Sequence, residues 1–102
     1  MDYKEDIIWV ALADKTRRDI MDMIYKKEQL SAGEISEKFD MTKPSISRHL
    51  NILKQAGIIE GTKKGKNIIY SMAENWGEEI LAYADRITNR EPIKKAPKAK
   101  QS

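Results

Sequence analysis

The chain has 102 residues and a net charge of +3, with 40% hydrophobic residues and no cysteine. This length fits one domain with a modest core, the apolar content excludes a wholly disordered chain, and the lack of cysteine excludes disulfides and thiolate metal sites. Neither a membrane-spanning apolar run nor the basic-then-apolar start of a secretion signal is found, so we expect a cytoplasmic protein without membrane insertion.

Apolar residues recur at helical spacing in the first part of the chain. A first helix is predicted over residues 3–13 and a second over residues 15–28, with Asp14 as the N-cap of the second. Each helix has one apolar face, which carries Ile7, Val10 and Ala11 in the first and Ile20, Met23 and Ile24 in the second. Both helices are therefore expected to pack one face against a core.

Ser31 and Glu34 mark the start of a short third helix, because they have the spacing of a capping box. The residues of this helix that are predicted to face inward are Ile35 and Phe39. Residues 40–41 then form a tight turn to the next helix.

The fourth helix has signals at both ends. Thr42 is suited to cap it, Pro44 falls in the first turn, where a missing amide proton costs nothing, and Gly57 is expected to stop it. One face carries the apolar residues Ile46, Leu50 and Leu53. Two short helices that have one apolar face each and so tight a connection predict a helix-turn-helix.

The pattern then changes from helical to alternating. Residues 58–63 and 67–72 are predicted to form two strands around a turn at residues 64–66, with Ile68, Tyr70 and Met72 on one side. A final helix is predicted over residues 75–89. Its apolar face carries Trp76, Ile80, Tyr83, Ala84 and Ile87. The predicted fold class is mainly α with a two-stranded β wing, which is a winged helix-turn-helix.

The charges are unevenly distributed along the chain. Residues 1–42 and 67–89 each carry a net charge of −3, whereas residues 43–66 carry +5 and residues 90–102 carry +4. This separation is typical of a domain with one surface that faces a polyanion. We predict a DNA-binding and dimerisation domain over residues 1–89 and a basic, disordered tail over residues 90–102.

Three blocks of the sequence resemble, in the same order, the ArsR family of winged-helix repressors. They cover residues 11–18, 43–57 and 65–70, and Lys15 in the first block stands where proline is usual. The second block is most similar to the autorepressor (SdpR-like) branch of the family. Whether this protein represses its own gene stays open. The resemblance implies a homodimeric repressor that binds double-stranded DNA at an inverted-repeat operator.

The polar face of the fourth helix is predicted to lie in the major groove, where Arg48 has the geometry to bind guanine. Lysines of the hairpin are predicted to contact the flanking backbone or the minor groove. The predicted DNA-binding residues are Thr42, Lys43, Pro44, Ser45, Ser47, Arg48, Asn51, Lys63, Lys64 and Lys66. The alternative for the lysines is a solvated turn, and the alternative for Arg48 is a surface or ion-pairing arginine. His49 is expected to pack or to make a structural hydrogen bond.

The first and last helices are predicted to form a homodimer interface, because a single copy has too few other residues to cover the apolar faces of both helices. The resemblance implies the same two helices. The interface residues are predicted to be Ile7, Trp9, Val10, Trp76, Ile80, Tyr83, Ala84 and Ile87. Alternatively, the last helix completes the core of a single copy. A two-fold dimer predicts half-sites that lie about one helical turn apart.

No metal site and no cofactor are predicted. The resemblance implies that some members of the family bind metal through cysteines at the start of the third helix, where this chain has Ser31 and Gly33. Other members use ligands on the last helix, which here has Glu78 and Asp85 but no histidine. Since borderline metals need sulfur or imidazole ligands, these positions predict a member of the family without its metal site.

The remaining function classes are weighed against the same residues. One histidine and no cysteine provide no nucleophile–base pair, so an enzyme is not expected. A winged-helix module that binds another protein is the alternative to a repressor, as is a ligand-responsive regulator whose effector is unidentified. Release from DNA by a small molecule, by a sequestering protein, or by concentration alone stays open.

Overall fold

The computed structural model describes residues 3–88, with side chains from residue 7 onward. The tail that is predicted over residues 90–102 lies outside this part. The elements in chain order are α1 (Tyr3–Leu12), α2 (Lys15–Lys27), β1 (Leu30–Ser31), α3 (Ala32–Glu37), α4 (Lys43–Gln55), β2 (Ile59–Lys64), β3 (Asn67–Met72) and α5 (Glu78–Thr88). Within the described part, no helix combines the length and apolar character needed to cross a membrane.

The predicted starts of α2, α3 and α4 are confirmed by the side chains that cap them. Asp14 Oδ2 accepts the Arg17 amide at 3.1 Å, and Ser31 and Glu34 form a reciprocal capping box. Thr42 Oγ1 accepts the amide of the third residue of α4 at 3.2 Å. Each contact satisfies an amide that the helix itself leaves without a partner.

The sheet has three antiparallel strands in the order β1-β3-β2. The strands β2 and β3 form the predicted hairpin, which we call the wing, and Gly65 begins its two-residue turn with φ of 61°. The prediction of only two strands was incomplete, because Leu30 and Ser31 pair with Tyr70 and Ile69. A strand of two residues is too short to show an alternating pattern, and it forms through its tertiary contacts.

Gly61 lies directly opposite Tyr70 in the hairpin. A Cβ atom at Gly61 would lie 3.1 Å from both Tyr70 Cε1 and Ile68 Cγ2. A side chain at position 61 would therefore require the Tyr70 ring and the Ile68 methyl group to shift.

The core lies between the helices and the base of the sheet. Its largest fully buried side chains are Ile20, Ile24, Ile35, Ile46, Leu50, Leu53, Ile58 and Ile59. The predicted apolar face of α4 is thereby confirmed. Ile52, which falls off that face, is half-buried and packs against the same core.

The predicted apolar face of α1 was wrong in part. Ile8 and Ala11 are buried, Ile7 is half-buried, and Val10 is 59% exposed. Residues 7–13 are all apolar, so periodicity alone could not identify the face that packs against the core.

Two predicted helices also differ in their bounds. The last helix begins at Glu78 rather than residue 75, because residues 74–77 form a turn in which Asn75 has φ of 62°. Trp76 consequently lies outside α5, half-buried against the core. Phe39 lies beyond the end of α3, but it still packs inward as predicted.

Candidate nucleic-acid interface

Helix α4 separates an apolar side from a polar side. Ile46, Leu50 and Leu53 are buried. Ser47, Arg48 and Asn51 are exposed on the rest of the helix surface, and we call these three residues the polar face of α4. Their amide, hydroxyl and guanidinium groups are those that bind base edges in the major groove.

The N-terminal edge of α4 offers donors that suit a phosphate. Lys43 and Pro44 are exposed, and the first amides of a helix favour an anion. Thr42 Oγ1 also donates to Ser45 Oγ at 3.0 Å. The predicted contact residues Thr42 and Ser45 thus form the cap of α4, and the Ser45 hydroxyl keeps its own proton as a free donor in these contacts.

The wing carries three exposed lysines. Lys64 pairs with Asn67 where the strands meet the turn, Lys66 lies in the turn, and Lys63 points to the opposite side of the strand from Lys64. Strand β2 packs against α4. The only acidic residue among residues 43–66 is Glu60, and these lysines make no salt bridge to any described side chain.

Arg17 is a residue of this region that the sequence reasoning missed. Its Nε donates to the Ala11 carbonyl at 2.9 Å, and one terminal nitrogen donates to the Val10 carbonyl at 3.0 Å. The other terminal nitrogen lies 3.1 Å from Nδ1 of His49. The structural hydrogen bond that was expected for His49 is confirmed. No periodic pattern in the sequence identifies Arg17, because its partners come within reach only when the end of α1 packs against α2.

Asp14 completes the polar contacts around His49. Its Oδ2 lies 4.0 Å from His49 Nδ1. The Arg17 amide lowers the pKa of the Asp14 carboxyl, and the nearby charge of the Arg17 guanidinium lowers that pKa further. Asp14 is therefore ionised at neutral pH, next to the end of α1.

Helices α1 and α5 carry an exposed apolar surface. No residue of α5 is buried, and Trp9, Val10, Tyr83 and Ile87 are all exposed. Of the other residues predicted here, Ile7, Ile80 and Ala84 are half-buried, and Trp76 is half-buried with contacts to the core. Leu81, which is 51% exposed, was not predicted, because it lies off the apolar face of α5.

No group of three His, Asp or Glu side chains within the described residues is placed to hold a metal ion. Ser31 Oγ accepts the Glu34 amide at 3.1 Å and so serves as a helix cap. Gly33 offers no side chain.

The sequence profile described as "Bacterial regulatory protein, arsR family" matches residues 14–61. The transcriptional repressor SdpR of Bacillus subtilis is 49% identical over 65 residues, which are 64% of this chain and 71% of SdpR. The arsenical resistance operon repressor of Escherichia coli is 31% identical over 78 residues, which are 74% of this chain and 67% of that protein.

Solved structures agree with the fold. The ArsR-like transcriptional regulator from Rhodococcus sp. RHA1 superposes with a TM-score of 0.72 at 24% identity, covering 84% of this chain and 80% of that one. At this identity the likeness establishes the winged helix-turn-helix arrangement alone.

Proposed function

Because the chain belongs to the ArsR family of bacterial regulatory proteins, we propose that it is a metal-independent transcriptional repressor that binds an inverted-repeat operator as a homodimer. Its family and the two relatives above are regulators of transcription, which confirms the prediction that the chain is not an enzyme. We assign DNA binding and dimerisation to residues 1–89.

The observation that carries the proposal is the polar face of α4 beside a lysine-rich wing. The apolar side of α4 is fully used by the core, so the exposed side is available for a ligand. Arg48 is exposed and makes no salt bridge among the described residues. An α-helix with such a face fits the major groove, and wing lysines at its side suit the phosphates that flank it.

The exposed surface of α1 and α5 supports the homodimer. Trp9 and Tyr83 are large aromatic residues that are only partly covered, and aromatic side chains are enriched at the centres of protein interfaces. Association through this surface would place two copies of α4 on one duplex, related by a two-fold axis. A protein-interaction module would instead be expected to expose apolar anchors on α4 itself.

The groups at the family's metal-binding positions support metal independence. Ser31 is engaged in the capping box and Gly33 lacks a side chain. Neither position provides the sulfur that a soft or borderline metal prefers.

The test is selection of bound fragments from a random duplex library by the purified full-length chain, without added metal. We expect an enriched inverted repeat whose half-sites lie about one helical turn apart. Binding that is unaltered by a chelator would support metal independence. Enrichment of a single half-site would contradict the dimeric operator, and no enrichment at low salt would favour the protein-interaction alternative.

A further inference from the structure

We propose that Arg17 is a positioning residue that holds α4 at a fixed orientation to the end of α1 through its bond to His49. The inference rests on the proposed function, because it concerns the helix that is proposed to read DNA. It adds a role for two residues that do not belong to the polar face of α4.

Arg17 connects three helices with one side chain. From α2, its guanidinium donates to the carbonyls of Val10 and Ala11 at the end of α1, at 3.0 and 2.9 Å. It also reaches His49 on α4, at 3.1 Å from Nδ1. The planar guanidinium has donors in fixed directions, so these contacts together define where α4 lies relative to α1.

The bond to Arg17 assigns a role to each ring nitrogen of His49. Arginine has no acceptor and stays protonated in proteins, so His49 Nδ1 is the acceptor in this bond. The ring proton then lies on Nε2. A proton on Nδ1 would remove the acceptor and place two donors, one of them cationic, 3.1 Å apart.

The charged groups that face His49 come from three places. Asp14 lies in the connection before α2, with its Oδ2 at 4.0 Å, Arg17 lies in α2, and Arg48 precedes His49 in α4. Val10, Asp14, Arg17, Ser45, Arg48, His49 and Ile52 line one open cavity of about 370 Å³. Loss of the bond to Arg17 would release His49 from α2, and the orientation of the neighbouring Arg48 would change with it.

The sole histidine of the chain makes the bond directly observable. In long-range ¹H–¹⁵N spectra of the ring at about pH 8, where histidine is normally neutral, we expect an unprotonated Nδ1 and a proton on Nε2. The opposite tautomer would overturn the proposal without reference to DNA.

The effect on function is tested with two matched variants. His49→Asn keeps an acceptor at the position of Nδ1 and does not titrate, whereas His49→Leu removes the acceptor. We measure the ratio of affinities for the selected operator and a scrambled duplex. We expect this ratio to be near the wild-type value in His49→Asn and to fall about tenfold in His49→Leu, the size that loss of one charge-assisted hydrogen bond permits.

Retention of the ratio in His49→Asn separates positioning from a general structural effect, because that variant keeps the acceptor and removes the ring. Equal ratios for His49→Leu and the wild type, or a ratio in His49→Asn as low as that in His49→Leu, would overturn the proposal. If the wild type binds the operator and the scrambled duplex equally well, the proposed function fails. The positioning role then fails as well, even if the expected tautomer is found.

Discussion

The ring of Trp9 meets the ring of Tyr83 edge-on, with centroids 5.4 Å apart and planes inclined at 64°. Such a pair contributes about 0.5–1.5 kcal/mol beyond the area that it buries, and it fixes α5 against α1. Arg86 adds a cation–π contact to the Tyr83 ring at 5.6 Å. Both rings remain about two-fifths exposed, at 41% and 42%. The pair therefore orders a surface that is still open to a second copy.

Replacement of Ile87 by aspartate tests that surface. Ile87 is 61% exposed in one copy, so Ile87→Asp should leave the fold intact but place a charge in an apolar interface. We expect the free energy of dimerisation to weaken by about 2 kcal/mol or more, which raises the dimer dissociation constant roughly 30-fold. Sedimentation equilibrium measures this change.

The matched control is Tyr25→Asp on α2, where the tyrosine is 74% exposed. This variant should dimerise like the wild type. A monomeric wild type, or equal effects of the two substitutions, would contradict an interface through α1 and α5.

The wing lysines should act through phosphates. Each phosphate contact that is lost reduces the slope of log affinity against log salt by about 0.9. The double variant Lys64→Ala, Lys66→Ala should therefore lower the slope by about 1 to 2 in anisotropy titrations of duplex DNA. Removal of Lys26 and Lys27, in the last turn of α2, serves as the control of equal charge. A slope that responds equally to both double variants would show a general charge effect instead of wing contact.

A side chain at Gly61 should destabilise the fold. A Cβ atom would press against the rings and methyl groups of Tyr70 and Ile68 at 3.1 Å, so Gly61→Ala should lower the free energy of unfolding by about 1–3 kcal/mol. Gly77 has open space around its Cα, and Gly77→Ala should change that free energy by less than about 0.5 kcal/mol. Urea unfolding measures both. Equal stability of the two variants would mean that Tyr70 moves aside without cost.

Asp14 should make stability depend on acid pH. The amide of Arg17 lowers the pKa of its carboxyl below the unfolded value of 3.8. The stabilisation is therefore fully present above that value and is lost as pH falls through the lower, folded pKa. Asp14→Asn keeps a capping oxygen that does not titrate, whereas Asp14→Ala should cost about 1 kcal/mol at neutral pH.

Urea unfolding at neutral and acid pH checks this sign. Relative to Asp14→Asn, the wild type should lose stability on acidification. Parallel profiles of the two proteins would show that the carboxylate charge contributes nothing to the cap.

The local features of the fold were predictable from the sequence because they depend on neighbouring residues. The caps at Asp14, Ser31 and Thr42 and the apolar face of α4 follow from spacing alone. The β1 strand, the buried face of α1 and the position of Trp76 depend on distant partners, and no local pattern contains them.

The candidate site was predictable to a similar degree. Ser47, Arg48 and Asn51 lie on the exposed side of α4 because the opposite side is apolar at helical spacing. The bridge from Arg17 to His49 was not predictable, since it joins residues 32 positions apart whose contact exists only after α2 and α4 pack together.

The most direct test of the central claim, that the polar face of α4 reads DNA, is the affinity of Arg48→Ala for the selected operator. Arg48→Ala should weaken operator binding by about 1–3 kcal/mol, roughly 5- to 150-fold, in anisotropy titrations at fixed salt. Lys54→Ala, which also removes an exposed charge from α4, should change the affinity about twofold or less. Wild-type affinity in Arg48→Ala would contradict the account.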